Sequence, residues 1–172
     1  MNLCKPKYIV QRDDYNCGTV SLINLEQWLG TRDLGLKDIP SVREELYPTE
    51  TLEKELRKME AGVDPLYFDL YMLFNKHIKD KLVLQKNQPT ISDLKQEFKL
   101  GRALILSFWW PDKEWGHYTF VSEFSNRKFT CVNYVGRKVF CKISEKEMKK
   151  NLEGTRVMPG SIKVSCIWSF QK

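Results

Sequence analysis

Residues 11–30 read QRDDYNCGTVSLINLEQWLG. Within this stretch the apolar side chains of Val20, Leu22, Ile23, Leu25, Trp28 and Leu29 spread too widely around a 3.6-residue repeat for a helix with one wet face. The pattern predicts a central, buried helix over 18–29 that stops at Gly30, a residue suited to the left-handed position beyond a helix end. Cys17 opens that helix. A thiol there feels the positive end of the helix dipole and unpaired amides, which favour the thiolate that attacks carbonyl carbon. Gly18, lacking a side chain, lets a substrate approach the first turn and leaves the Cys17 N–H able to donate to an oxyanion. The side-chain amide of Gln11, six residues ahead of Cys17, is placed to be a second donor without adding charge. Donors of this kind are worth about 3 kcal/mol of transition-state stabilisation.

A thiol nucleophile needs a base, and the chain holds two histidines, His77 and His117. His77 lies in FNKHIKD at the end of an apolar helical stretch, the setting of a favourable C-terminal cation. His117 follows Trp115 and Gly116 and opens HYTFVSEF, so a strand holds its imidazole at the edge of a cleft. His117 is therefore the expected base. The third role, fixing the ring tautomer, falls to Asn133 at the end of the next strand, because in a hairpin the start of one strand meets the end of the other. Asp112, on the loop before His117, is the alternative. Trp115 and Gly116, with Trp109 and Trp110, are expected to line the substrate side of the cleft, although a strand ending in two tryptophans equally suits core packing.

Outward from these residues, the first hundred read as mainly helical: Ser41 to about Ile78 in three pieces, with Pro65 at the first position of PLYFDLYMLFNKHI, then roughly 91–100 after Pro89 and up to Gly101. From residue 101 the runs ALILSFWW, HYTFVSEF, KFTCVNY, RKVFCKI and SIKVSCIWSF are rich in β-branched and aromatic residues and read as strands. Turns at Ser125–Arg127 and Gly136–Arg137 make them an antiparallel meander, interrupted by a short helix near 144–151. The expectation is one α+β domain over 1–172, a helical half of about 1–100 sharing one interface with a sheet half of about 101–172.

A chain of 172 residues with 42% apolar and 29% charged residues can bury a core without staples. Its five cysteines form no CxxC pair, which argues against a disulfide framework and a zinc site. No apolar run is long enough to span a bilayer, and no secretory leader is visible, so an intracellular, reducing setting without a membrane is expected. The net charge of +6 is scattered over short lysine groups, which argues against a nucleic-acid module. No cofactor or metal is called for.

In order and context these residues resemble the papain-like cysteine peptidase clan, and within it the double-glycine leader peptidases of bacteriocin exporters. The resemblance rests on 11–30, a glutamine, a polar loop, Cys-Gly and an apolar helix, and on 101–133, where GRALILSFWW and GHYTFVSEF follow the two strands around the histidine. It implies a papain-like fold with Cys17 as nucleophile, His117 as base, Asn133 as the orienting residue and Gln11 at the oxyanion. The family more often carries Asp where this chain has Asn133. The resemblance implies hydrolysis of a peptide or isopeptide bond in a protein or peptide substrate through a thioester. Alternatives are an acyltransferase of the same fold and a non-catalytic binding module that holds a protein partner.

Overall fold

Within residues 11–30 the chain forms helix α1 (Cys17–Leu29), buried over ten residues from Cys17 to Glu26. It ends as its glycine predicts: Gly30 has φ 71° and returns its N–H to the Glu26 carbonyl at 2.9 Å. The computed structural model describes residues 6–13, 15–46, 65–110, 115–136, 138–156, 162–163 and 165–172, without the side chains of 65–67, 115, 155–156 and 162–163. The described helices after α1 are α2 (Ile39–Leu46), α3 (Pro65–Phe74), α4 (Ile91–Lys99) and α5 (Glu145–Leu152). The strands are β1 (Leu82–Asn87), β2 (Ala103–Trp110), β3 (Trp115–Ser125), β4 (Lys128–Val132), β5 (Phe140–Ser144), β6 (Thr155–Arg156), β7 (Ile162–Lys163) and β8 (Cys166–Phe170).

Six strands form one antiparallel sheet in the order β1-β8-β2-β3-β4-β5, and β6 pairs with β7 apart from it. The chain is thus α+β, with β2 to β5 the predicted meander. Its β3–β4 hairpin turns through Asn126 and Arg127, at φ 50° and 59°, the left-handed pair that a two-residue hairpin turn requires.

The sheet is covered on both faces rather than one. Ala103, Ile105, Phe120, Val132 and Trp168 face a core completed by α1, α2 and α3. Leu104, Leu106, Phe108, Val121 and Phe129 face the opposite way, onto Leu94 of α4 and Met148 of α5. Double cover explains why ALILSFWW is a continuous apolar run and not an alternating one. It also corrects the expectation of a single helix–sheet interface, since α4, from the first hundred residues, lies on the far side with α5.

Three further readings change. Leu82–Asn87, inside the stretch read as mainly α, is strand β1; it sits at the sheet edge, half-buried to exposed, so its apolar signal is weak. The last run is two strands: Ile162–Lys163 pairs with Thr155–Arg156, and only Cys166–Phe170 enters the main sheet. Helix α3 stops at Phe74, and His77 lies on the turn that follows. The predicted helix in TLEKELRKMEAGV falls outside the described residues.

Gly154, just after α5, packs against β2 so closely that an added Cβ falls 2.3 Å from the Trp109 carbonyl oxygen. Backbone on both sides leaves no flexible group to yield. Gly154→Ala is therefore expected to destabilise the fold by about 1–3 kcal/mol, read as a lower urea midpoint with an unchanged slope.

Candidate functional site

The segment leading into α1 is clamped to that helix. Asn24 pairs with both main-chain groups of Ile9, accepting from its N–H at 2.8 Å and donating to its carbonyl at 3.0 Å. Asp13 then folds the loop: its Oδ1 accepts from the N–H groups of Tyr15 and Asn16, and its Oδ2 from the Asn16 amide at 2.8 Å. The Asn16 Oδ1 accepts from Arg43 Nη1 of α2 at 2.8 Å, and the same guanidinium lies 5.2 Å from the Tyr15 ring centroid. Cys17 follows at the first position of the helix.

The thiol is 4% exposed, and its burial decides its chemistry. Burial pushes the Cys17 thiol up to about 11, a rise partly offset by the main-chain N–H groups of Tyr118, Gly18 and Cys17 itself and increased slightly by the Asp13 carboxylate. Gly18 is likewise buried in the first turn. The expected bias of the helix N-terminus toward the thiolate is therefore present, but desolvation outweighs it.

His117, third in β3 and 6% exposed, is fixed from three sides. Trp110 stacks on its ring at 4.8 Å and 14°, and Phe108 meets it edge-on at 5.6 Å. Nε2 lies 2.8 Å from the Asn133 main-chain carbonyl oxygen. A carbonyl only accepts, so Nε2 carries the proton of the neutral ring and Nδ1 is its acceptor.

Asn133 thus meets His117 as the hairpin argument expects, but through its backbone. Its residue conformation is left-handed, φ 60°, which asparagine tolerates. Its side chain turns instead to Gln11, accepting from the Gln11 main-chain N–H at 2.8 Å and donating to Gln11 Oε1 at 2.9 Å. Gln11 Nε2 donates in turn to the Asp13 carbonyl at 2.8 Å. The predicted oxyanion glutamine is thereby tied between the Asp13 loop and Asn133.

The nucleophile and base candidates share one end of β3. Cys17 packs with Tyr118 on the α1 face, while the imidazole packs with Phe108 and Trp110 toward the α4 and α5 face. Gly116 is exposed opposite Trp109, and β3 begins at Trp115, whose side chain lies outside the described residues, as does Asp112. His77 is not part of this site; with Glu45, Tyr71 and Phe74 it lines a separate groove.

Sequence reasoning missed the groups that brace the site. Arg43 holds the Cys17 loop from α2. Tyr134 accepts from Asn151 of α5 at 2.7 Å and is hydrogen-bonded to the Trp110 side chain behind the imidazole. An arginine in VREEL gives no sign of burial, whereas Tyr134, beside Asn133 in an apolar run, carried a weak one. Among the described residues no group of three or more His, Cys, Asp or Glu could hold a metal ion, and no described helix is long and apolar enough to cross a membrane. No protein-family model matches the chain, and no curated protein matches it.

Proposed function

We propose that this chain is a papain-like cysteine hydrolase that cleaves a peptide or isopeptide bond in a protein or peptide substrate, with Cys17 as nucleophile and His117 as base. The observation that carries this reading is the set of main-chain N–H groups, from Cys17, Gly18 and Tyr118, directed at a sulfur that opens a buried helix, the last of them from the residue that follows His117 in β3. Such donors stabilise negative charge, first on sulfur and then on an oxyanion.

In this reading the resting pair is neutral. Substrate entry brings Nδ1 of His117 to the sulfur, and the thiol proton passes to Nδ1 as sulfur attacks the carbonyl carbon. The Cys17 N–H and the second Nε2 hydrogen of Gln11 receive the oxyanion, and His117 returns its proton to the leaving amine. Water then hydrolyses the thioester. The Asn133 carbonyl keeps Nε2 protonated, so the orienting member is a backbone group and Asn133's amide serves to hold Gln11.

A second reading, a non-catalytic papain-like module binding a protein partner, draws on the burial and high pKa of Cys17. A peptide carrying a vinyl sulfone in place of the scissile amide separates the two. Mass mapping is expected to show the adduct on Cys17 ahead of Cys4, Cys131, Cys141 and Cys166, and Cys17→Ala to lose it while keeping the circular dichroism spectrum of the parent. Equal labelling of all five cysteines, or none, favours the binding module.

A further inference from the structure

Cys131 on β4 and Cys141 on β5 stand directly opposite one another in the sheet register. Opposed residues of an antiparallel pair share a face, and both cysteines belong to the α4 and α5 side of the core. The Asn133 N–H donates to the Val139 carbonyl at 3.2 Å, so two residues further along each strand Cys131 and Cys141 form a hydrogen-bonded pair. The Cα atoms of such a pair are about 5.5 Å apart, within the roughly 4.4–6.8 Å that a disulfide spans. Both are free thiols. They differ in access: Cys131 is fully buried, whereas Cys141 is half-buried on β5, the outermost strand. Burial raises Cys131 well above the usual thiol range, and the neighbouring Cys141 adds to the rise, as expected for two sulfurs in proximity.

We propose that Cys131 and Cys141 are an oxidative modification site, a cross-strand thiol pair that a peroxide closes into a disulfide. The accessible Cys141 sulfur attacks one peroxide oxygen; the O–O bond breaks, one water leaves and Cys141 becomes a sulfenic acid. The Cys131 sulfur attacks that sulfur, the S–O bond breaks and a second water leaves. The two thiols give up two electrons and two protons, and the peroxide takes up both. The bridge lies two residues from Asn133, whose carbonyl receives the His117 ring, yet the inference is independent of any activity at Cys17.

The test uses the whole native protein, treated with hydrogen peroxide, quenched with N-ethylmaleimide in denaturant and digested with trypsin without reductant. Cleavage after Lys128, Arg137, Lys138 and Lys142 puts the two cysteines in separate peptides, FTCVNYVGR (129–137) and VFCK (139–142). The expected product is these peptides joined, two hydrogens lighter than their sum, with about two thiols lost from the denatured titration. Cys141→Ser is expected to abolish the link and leave Cys131 as its maleimide adduct. Three outcomes overturn the proposal: Cys141 over-oxidised to sulfinic or sulfonic acid beside a maleimide-labelled Cys131, a link from either cysteine to a third, or both thiols intact at peroxide levels that oxidise free glutathione.

Discussion

Carbamidomethylation of Cys17 by iodoacetamide is expected to accelerate about tenfold for each pH unit between pH 7 and pH 10, levelling only near pH 11. The thiolate is the reacting form, and burial places the Cys17 thiol at about 11, so the reactive fraction grows in proportion to hydroxide over that span. A thiolate held by an imidazolium gives the opposite profile, high and flat across neutral pH, because its thiol has already lost the proton. Site-resolved mass spectrometry at five or six pH values distinguishes the two. A flat profile overturns the neutral resting pair. Agreement, combined with rapid capture of the peptide vinyl sulfone at pH 7, assigns the activation to substrate binding, since a small alkylating agent leaves the ring where Trp110 and Asn133 hold it.

Removing Arg32 is expected to cost about 3–5 kcal/mol. Glu26 lies fully buried in α1, and its carboxylate is compensated by the Arg32 guanidinium, through Nε to Oε2 and through Nη2 to Oε1 at 2.6 Å. The same guanidinium reaches Glu45 of α2 at 2.7 Å and the Tyr71 hydroxyl of α3 at 2.9 Å. Burial, with Glu26 and Glu45 adding, raises the Tyr71 hydroxyl strongly, so it keeps its single proton, within hydrogen-bond reach of Glu45 at 3.1 Å and Glu26 at 3.3 Å. Arg32→Ala leaves a buried charge with no cation, whereas the double change Arg32→Met with Glu26→Gln removes both charges and is expected to recover much of the loss. Urea unfolding of the two variants beside the parent measures this. A loss under about 1 kcal/mol for Arg32→Ala means that water reaches Glu26.

Much of the architecture was legible because it rests on side-chain pattern. The breadth of apolar positions in α1 marked it as buried, Gly30 marked its end, and the β-branched runs marked β2, β3 and β4. The readings that failed concern patterns made by partners. β1 is an edge strand whose Leu82, Leu84 and exposed Val83 alternate too little to stand out, and its place is set by β8, arriving from the far end of the chain. The second layer, α4 with α5, depends on which face of β2 each side chain takes, which a continuous apolar run does not disclose.

The candidate site divides in the same way. The residue types at 11, 17 and 117 could be picked out because the proposed chemistry demands them, and Asn133 because a hairpin brings it to His117. The groups that position them are largely main chain: the Tyr118 N–H beside the sulfur and the Asn133 carbonyl on the ring are present at any residue, so no side-chain letter signals them. The height of the Cys17 pKa was equally hidden, since a helix dipole is visible from one end of a helix but the desolvation opposing it comes from strands a hundred residues away.

The clasp between Gln11 and Asn133 spans 122 residues of sequence. During synthesis Cys17 therefore leaves the ribosome long before β4 does, and for most of that interval it exists without the residue whose carbonyl receives the His117 ring. A nascent chain halted before residue 133 lacks both the ring's carbonyl acceptor and the anchor of the Gln11 loop. The assembled site is in this sense a late checkpoint of chain growth: the Gln11 loop and the His117 ring gain their shared anchor only once residue 133 has been made.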